Sequence, residues 1–469
     1  MTQLLIIGGG ITGLAAAWEA IKFPRVEVTL IDTQPRLGGK ILSSVITLPN
    51  DQPMMIDEGA DAFLCRVPEA VQLCRELGLD SEFTHPAVSR AQVFVGGELR
   101  FLPTGTVLGV PLDFERLAAS RLLSDAGMQR ARQEIHSDWP VPAGDVSIGA
   151  FLTERYGREL VDHVVGPLIG GINAGDVDTL SMQAVTPQLF DAAVLGGSLT
   201  LALRQQAQRV SVPSTDPVFT ALRGGTSVLA EALQAALEAR GVQIMTSTQA
   251  IKCSFSEQGK ITTKLNAGTK LNAGTFSADQ VLICTTAPIA ADLLRNVSND
   301  AASLLKQITY SSVALLTFVF DRGSVPGELT ASGFLVPRTA GLFMTAASIG
   351  STKWAHWDDG SHVVLRVSAG HDKDQRGAKL SDQQLCSALL ADLQTTMGIT
   401  EPPLATRVSR WPNGFAQYRV GHLQLVENIE QSLARDCPKI LVAGASYRGL
   451  GIPACIRQGR LAAARLADS

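Results

Sequence analysis

Leu4-Leu5-Ile6-Ile7-Gly8-Gly9-Gly10-Ile11-Thr12-Gly13 is the stretch from which the fold is read. Four consecutive branched apolar residues read as a strand buried on both faces. The six residues that follow fit G-x-G-x-x-G. In that pattern the first glycine makes a tight turn and the second lets backbone N–H groups approach a pyrophosphate. The third lets helix and strand pack closely. Leu14 to Ala20 is Ala-rich and reads as helix, and Val26 to Ile31 alternates as a second strand. Parallel strands need such a crossover, so this is a βαβ unit. Asp32 closes the second strand at about the 20-residue spacing expected for an acid on ribose hydroxyls. Gly8, Gly9, Gly10, Ile11, Thr12, Gly13 and Asp32 are therefore candidate dinucleotide contacts. The motif alone does not choose between NAD and FAD.

The rest of the chain bounds the answer. Its 469 residues allow two or three domains. Mean hydropathy is +0.16, yet no apolar run approaches the roughly 18 residues of a spanning helix. Val313 to Phe320 is short and β-branched, and reads as a buried strand. A net charge of −4 argues against nucleic acid as a partner, which calls for a clustered basic surface. The seven cysteines are scattered without a C-x-x-C pair, so neither a disulfide framework nor a metal site is expected. Reduced thiols and the lack of a basic segment ahead of Leu4 point to a cytoplasmic protein.

Along the chain, 1–62, 214–292 and 404–469 read as one discontinuous cofactor-binding domain. Segments 63–95 and 293–403 read as a mixed-sheet substrate domain, and 96–213 as a mostly helical insertion. Helices are predicted at Asp113–Leu123, Ala126–Ile135, Ile148–Tyr156, Ser227–Ala239, Gln383–Met397 and Ile456–Leu466. Strands are predicted at Val242–Met245, Gln280–Cys284 and Ile440–Ala443. The last leads into a glycine loop, Gly444–Gly451. Thr263 to Gly268 recurs as Thr269 to Gly274, and reads as a duplication in a hairpin loop, where extra length costs little.

Further motifs choose the cofactor by resemblance. Arg36-Leu37-Gly38-Gly39-Lys40 resembles the R-x-G-G step after the second strand in flavoproteins of the amine-oxidase superfamily. Gly451-Ile452-Pro453, after Ile440-Leu441-Val442-Ala443-Gly444, resembles that superfamily's helix start under a flavin ring. At nearly full length the chain resembles the bacterial oxygen-dependent porphyrinogen oxidases, the protoporphyrinogen and coproporphyrinogen oxidase family of heme synthesis. Ile56-Asp57-Glu58-Gly59-Ala60-Asp61-Ala62-Phe63-Leu64 is similar to its I-E-x-G-P-D-S-F-L. Gly170 to Asp176 with Leu180-Ser181 is similar to G-G-I-Y-A-G-D…L-S, and Gln417-Tyr418 with Gly421-His422 to P-Q-Y-x-x-G-H. Gly444 to Ile456 is similar to G-A-S-Y-x-G-V-G-I-P-D-C-I, the most specific of these. The chain departs from the family at Asp57, Asn173 and Ala416, and at Val67, where relatives often carry a second base.

The resemblance implies an α/β fold, a Rossmann-like FAD-binding domain of the amine-oxidase superfamily with a mixed-sheet substrate domain and a helical insertion. It implies FAD contacts at the glycine turn and Asp32. It adds Lys40, Gly59, Ala60, Asp61, Ala62, Ala250, Trp411, Gly451, Ile452 and Pro453. The implied reaction is oxidation of protoporphyrinogen IX or coproporphyrinogen III to the porphyrin. It removes six electrons in three flavin cycles, with O₂ as acceptor and H₂O₂ as product. No side chain is assigned as catalyst, because flavin N5 carries the chemistry. Arg66 is the candidate anchor for a substrate carboxylate, with a surface pair to Glu69 as the alternative. By resemblance Leu335 and Phe343 would flank the macrocycle and Gly171 would let backbone approach it. Ordinary strand core is the alternative for Phe343, and a plain turn for Gly171 and Gly175. The seven histidines show no ligand spacing, and His422 receives no role. Residues 96–135 are a candidate membrane-facing or mouth-lining surface because Phe101–Leu112 is low in charge. Peripheral contact with the inner membrane face and a homodimer are both left open. The competing readings are a flavin amine oxidase or carotenoid desaturase on the same scaffold, and a prenyl-cargo binding module without flavin.

Overall fold

Strand Thr2–Ile7 lies at the centre of a five-stranded sheet in the computed structural model, which describes residues 1–48, 53–209, 217–267, 270–374 and 376–468. The strand order is Gln243–Met245, Val26–Ile31, Thr2–Ile7, Gln280–Ile283, Ile440–Val442, and every pairing is parallel. Side chains alternate across a strand, and here both faces are covered. Leu4 and Ile6 pack with helices Ile11–Ala20, Ser227–Ala239 and Ile452–Ala467. Leu5 and Ile7 pack with helices Ala287–Leu294 and His422–Asp436. That two-sided burial is why the opening strand is apolar without alternation.

The first and last helices touch backbone to backbone. A Cβ on Gly459 would lie 2.2 Å from the Thr12 carbonyl oxygen, and one on Gly13 would lie 1.9 Å from that of Gly8. Only glycine permits either approach, so the opening turn and the closing helix are held against each other. The closing helix begins at Ile452 rather than the expected Ile456, with Pro453 in its first turn, where a missing N–H costs nothing.

The second sheet has seven strands in the order Ala405–Ala416, Tyr310–Asp321, His362–Ala369, Met344–Ile349, Gly333–Leu335, Ala91–Val95, Glu98–Phe101. It is mixed, because Gly333–Leu335 pairs parallel with Ala91–Val95 while the other pairs are antiparallel. Helix Asp382–Met397 covers one face through Leu385, Leu389 and Leu393.

Helices from Phe114 to Arg209 form a third body around Leu152, Val161, Leu189 and Leu199. Glu98–Phe101 belongs to the seven-stranded sheet, so the expected insertion from residue 96 starts with a strand. The low charge of Phe101–Leu112 follows from packing. Val110 and Pro111 are buried, and Leu102, Val107 and Leu112 lie against the helical core. The expected boundary between 213 and 214 lies outside the described residues. Most of the repeat is paired rather than looped: Thr263 opposes Phe276 and Leu265 opposes Gly274 in one hairpin. Its alternating pattern suits strands, and its Gly268 and Thr269 lie outside the described residues. Among the described residues no helix is long and apolar enough to cross a membrane.

Candidate active site

The glycine turn is built by its neighbours. Gly9 donates its N–H to Asp32 Oδ2 at 2.6 Å, and Asp32 Oδ1 accepts from Gln34 N at 2.7 Å. Gly38 N donates to Gly9 O at 2.8 Å, and a Cβ on Gly9 would lie 2.4 Å from a Leu37 methyl. The Arg36–Lys40 step is therefore the floor on which the turn rests. Gly10 differs from its neighbours, because a Cβ there would meet nothing within 4 Å. It caps helix Ile11–Ala20 with no side-chain bond, so the helix N-terminus keeps donors for an anion. An open glycine, an uncapped N-terminus and an acid at the second strand fit a dinucleotide.

The turn opens into one cavity of about 1860 Å³ that runs between the two sheets and the helical body. Single small-molecule pockets usually enclose roughly 300–1,000 Å³, so this one has room for a large cofactor and a second molecule. Gly8, Gly10, Ile11, Thr12, Asp32 and Ala250 line one end. Lys40, Gly59, Ala60, Asp61, Ala62 and Trp411 line its walls with Gly451, Ile452 and Pro453. Gly9 and Gly13 stand behind that surface as packing positions. Cys284 and Cys455 also face the cavity, and burial raises both thiols, which keeps them uncharged.

The wall residues are firmly held. A Cβ on Gly59 would lie 2.4 Å from Lys40 O, and Trp411 Nε1 donates to Glu58 O at 2.8 Å. Lys40 donates through Nζ to Gly414 O at 2.5 Å. Lys40 lines the cavity, and desolvation lowers its pKa. Asp61 accepts from Lys353 Nζ at 3.0 Å and Trp354 Nε1 at 3.1 Å, and pairs with Arg366 at 3.0 Å. Burial alone would raise its carboxyl, but Lys353 and Arg366 outweigh that and hold it below its ordinary range.

Beyond these walls the cavity meets the mixed sheet through Val313, Leu315, Val336, Thr345 and Ser368, and the helical body through Pro167, Gly170 and Gly171. Leu335 stands one layer behind, with a methyl 3.6 Å from where a Gly171 Cβ would be. Phe343 is not brought to the cavity. Its ring packs in the sheet core with Arg376 5.0 Å over it, the strand-core alternative. Arg66 is exposed and does not line the cavity, although Phe63 and Leu64 do. The proline that follows Val67 starts helix Pro68–Glu76, and Glu69 is paired with Arg457 instead.

Four arginines that sequence reasoning missed do line the cavity: Arg158, Arg338, Arg366 and Arg410. Arg158 pairs with Asp178 at 2.9 Å. Arg338 pairs with Asp176 at 2.9 Å and donates to Gly175 O at 2.7 Å. Arg366 is buried with its Nε unpartnered. A signal for Arg366 was present. In His362–Ala369 the period of two puts Leu365 and Val367 in the core and Arg366 and Ser368 on the opposite face.

The family model for flavin containing amine oxidoreductase matches residues 11–467. The chain is 32% identical to coproporphyrinogen III oxidase of Bacillus subtilis (strain 168), covering 98% of this chain and 97% of that one. It is 29% identical to protoporphyrinogen oxidase of Bos taurus, covering 99% and 98%. A crystal structure of a provisionally named protoporphyrinogen oxidase from Exiguobacterium sp. 255-15 superposes with a TM-score of 0.87 at 29% identity, covering 99% and 98%. With the family model matching residues 11–467 and relatives matched from end to end, this chain belongs to the flavin-containing amine oxidoreductases and, among them, to the porphyrinogen oxidases.

Proposed function

We propose that the protein oxidises a porphyrinogen to the porphyrin with bound FAD, passing electrons to O₂ in heme biosynthesis. The observation that carries this is the single cavity in which the opening turn and the closing turn meet an apolar, arginine-bearing chamber. Gly10 to Thr12 would hold the pyrophosphate, Asp32 the ribose, and the backbone at Ala250 the adenine. Lys40, Gly59 to Ala62, Trp411 and Gly451 to Pro453 would surround the ring system. When bound, FAD supplies acceptance of an electron pair from a C–H bond and its delivery to O₂. The overall balance is porphyrinogen plus three O₂ giving porphyrin plus three H₂O₂, six hydrogens in all.

This chain's own work is orientation and exclusion of water. The Val313, Leu315 and Val336 wall suits an apolar macrocycle. Arg158, Arg338 and Arg366 are among the cavity's basic groups that could meet a propionate rim, and they take the place of Arg66. Each already has an aspartate partner, so a substrate carboxylate shares its arginine rather than meeting a bare charge. The relatives are named for both coproporphyrinogen III and protoporphyrinogen. An anaerobic assay with the two porphyrinogens side by side tests the proposal, reading loss of the flavin absorbance. Bleaching by either supports it and identifies the preferred substrate. A protein that retains FAD and is bleached by neither contradicts it.

A further inference from the structure

The segment Gln417–His422 joins two walls of the cavity and has no part in the reading above. Tyr418 and His422 are both buried, and their rings stack with centroids 3.9 Å apart and planes 12° from parallel. Each reaches the loop between strand Ile440–Val442 and helix Ile452–Ala467. The Tyr418 hydroxyl accepts from Gly449 N at 2.8 Å and donates to Ala445 O at 2.9 Å. His422 Nε2 lies 2.8 Å from Tyr447 O. A carbonyl oxygen only accepts, so this ring nitrogen carries the proton and donates. Burial lowers the imidazole pKa to about 4, so the ring is neutral near pH 7 with its one N–H committed.

The loop needs such pins. Gly444 and Gly449 sit at φ +132° and +124°, where no other residue is at ease, so its path is not set by local preference. On the other side, Gln417 Nε2 donates to Asn173 O at 3.1 Å and Ser311 Oγ at 2.9 Å. Asn173 ends the helix whose Gly170 and Gly171 line the chamber. One six-residue segment thus holds the closing loop and the chamber wall in register.

We infer that Tyr418 and His422 are positioning residues that fix the closing loop, and through it Gly451–Pro453, against the flavin ring. This rests on the flavin-dependent reading proposed above. Neither side chain lines the cavity, so neither touches substrate or cofactor. Misplacing groups around a reacting centre by about 1 Å can slow the chemical step about a hundredfold.

The test uses Tyr418→Phe, which keeps the ring and loses the hydroxyl, and His422→Phe, which keeps a stacking ring and loses the donor. His422→Gln restores an N–H at a similar reach. The readouts are flavin content, the visible spectrum of the bound flavin, the anaerobic reduction rate and KM. The expected result is flavin retained, bands displaced from the parent's and reduction slowed about tenfold to a hundredfold. KM should stay within about twofold, and His422→Gln should recover most of the rate. Should Tyr418→Phe fail to fold, the two His422 variants decide the matter alone. Variants with the parent's spectrum and reduction rate overturn the inference, as does His422→Gln no faster than His422→Phe. A parent that is not bleached by porphyrinogen overturns the underlying reading as well, so the two failures are distinguishable.

Discussion

At Gly10 a single missing side chain separates a cradle from a filled turn. Its Cβ position is open, so Gly10→Val should fold and yet lose flavin. Circular dichroism like the parent's with a colourless preparation is the expected outcome, and full flavin content would refute the assignment. Arg338→Ala should raise KM about tenfold with a smaller effect on kcat, as expected when a charge-assisted bond common to ground and transition states is removed. Arg66→Ala should leave KM unchanged, because its side chain lies outside the cavity. The contrast shows what a sequence can disclose. The open turn at Gly10 and the position of Asp32 at the end of its strand were legible because both follow from local spacing. Arg66 was not, because the face on which an arginine emerges from a loop depends on where helix Pro68–Glu76 docks. Phe343 was misplaced for a related reason, since an aromatic residue beside a strand suits a core as well as a pocket.

Among the secondary elements, the contact between helices Ile11–Ala20 and Ile452–Ala467 ties the opening of the chain to its close. Gly459→Ala would put a methyl group 2.2 Å from the Thr12 carbonyl. Overpacking of this kind typically costs about 1–3 kcal/mol, and urea unfolding should register it. Flavin affinity should fall with it, because Thr12 belongs to the turn. An unchanged unfolding midpoint would show that the helices can separate without loss. Strand Val26–Ile31 and helices Ile148–Tyr156 and Ser227–Ala239 were readable to the residue, since each has a clear period. The start of the closing helix was not. Its first turn, Ile452-Pro453-Ala454-Cys455, lacks the polar cap that marks a helix start, because that end faces the cavity. Strand Glu98–Phe101 was lost among turn residues, although it pairs antiparallel with Ala91–Val95 in a tight hairpin about Gly96-Gly97.

For the whole molecule, buried titratable groups give stability a pH dependence. The His422 imidazole is held to about 4, below the ordinary 6.5, by burial. The unfolded chain takes up that proton first as pH falls, so stability from this group is complete above 6.5 and is lost between there and about 4. The full loss is on the order of 3 kcal/mol, and His422→Gln should flatten the pH profile of the unfolding midpoint over that interval. A parent profile that is already flat there would contradict the burial of this ring. The same opposition of desolvation and fixed partners recurs at Asp61, whose carboxyl is held charged beside the cavity. The central claim is that two ends of the chain close on one flavin beside a macrocycle chamber. Its most direct test is the absorbance of the purified protein under argon, before and after coproporphyrinogen III or protoporphyrinogen IX is added. The expected result is one FAD per chain, bleached by porphyrinogen and restored by air with H₂O₂ formed. A protein that takes up no FAD on reconstitution, or whose FAD is indifferent to both porphyrinogens, would contradict it.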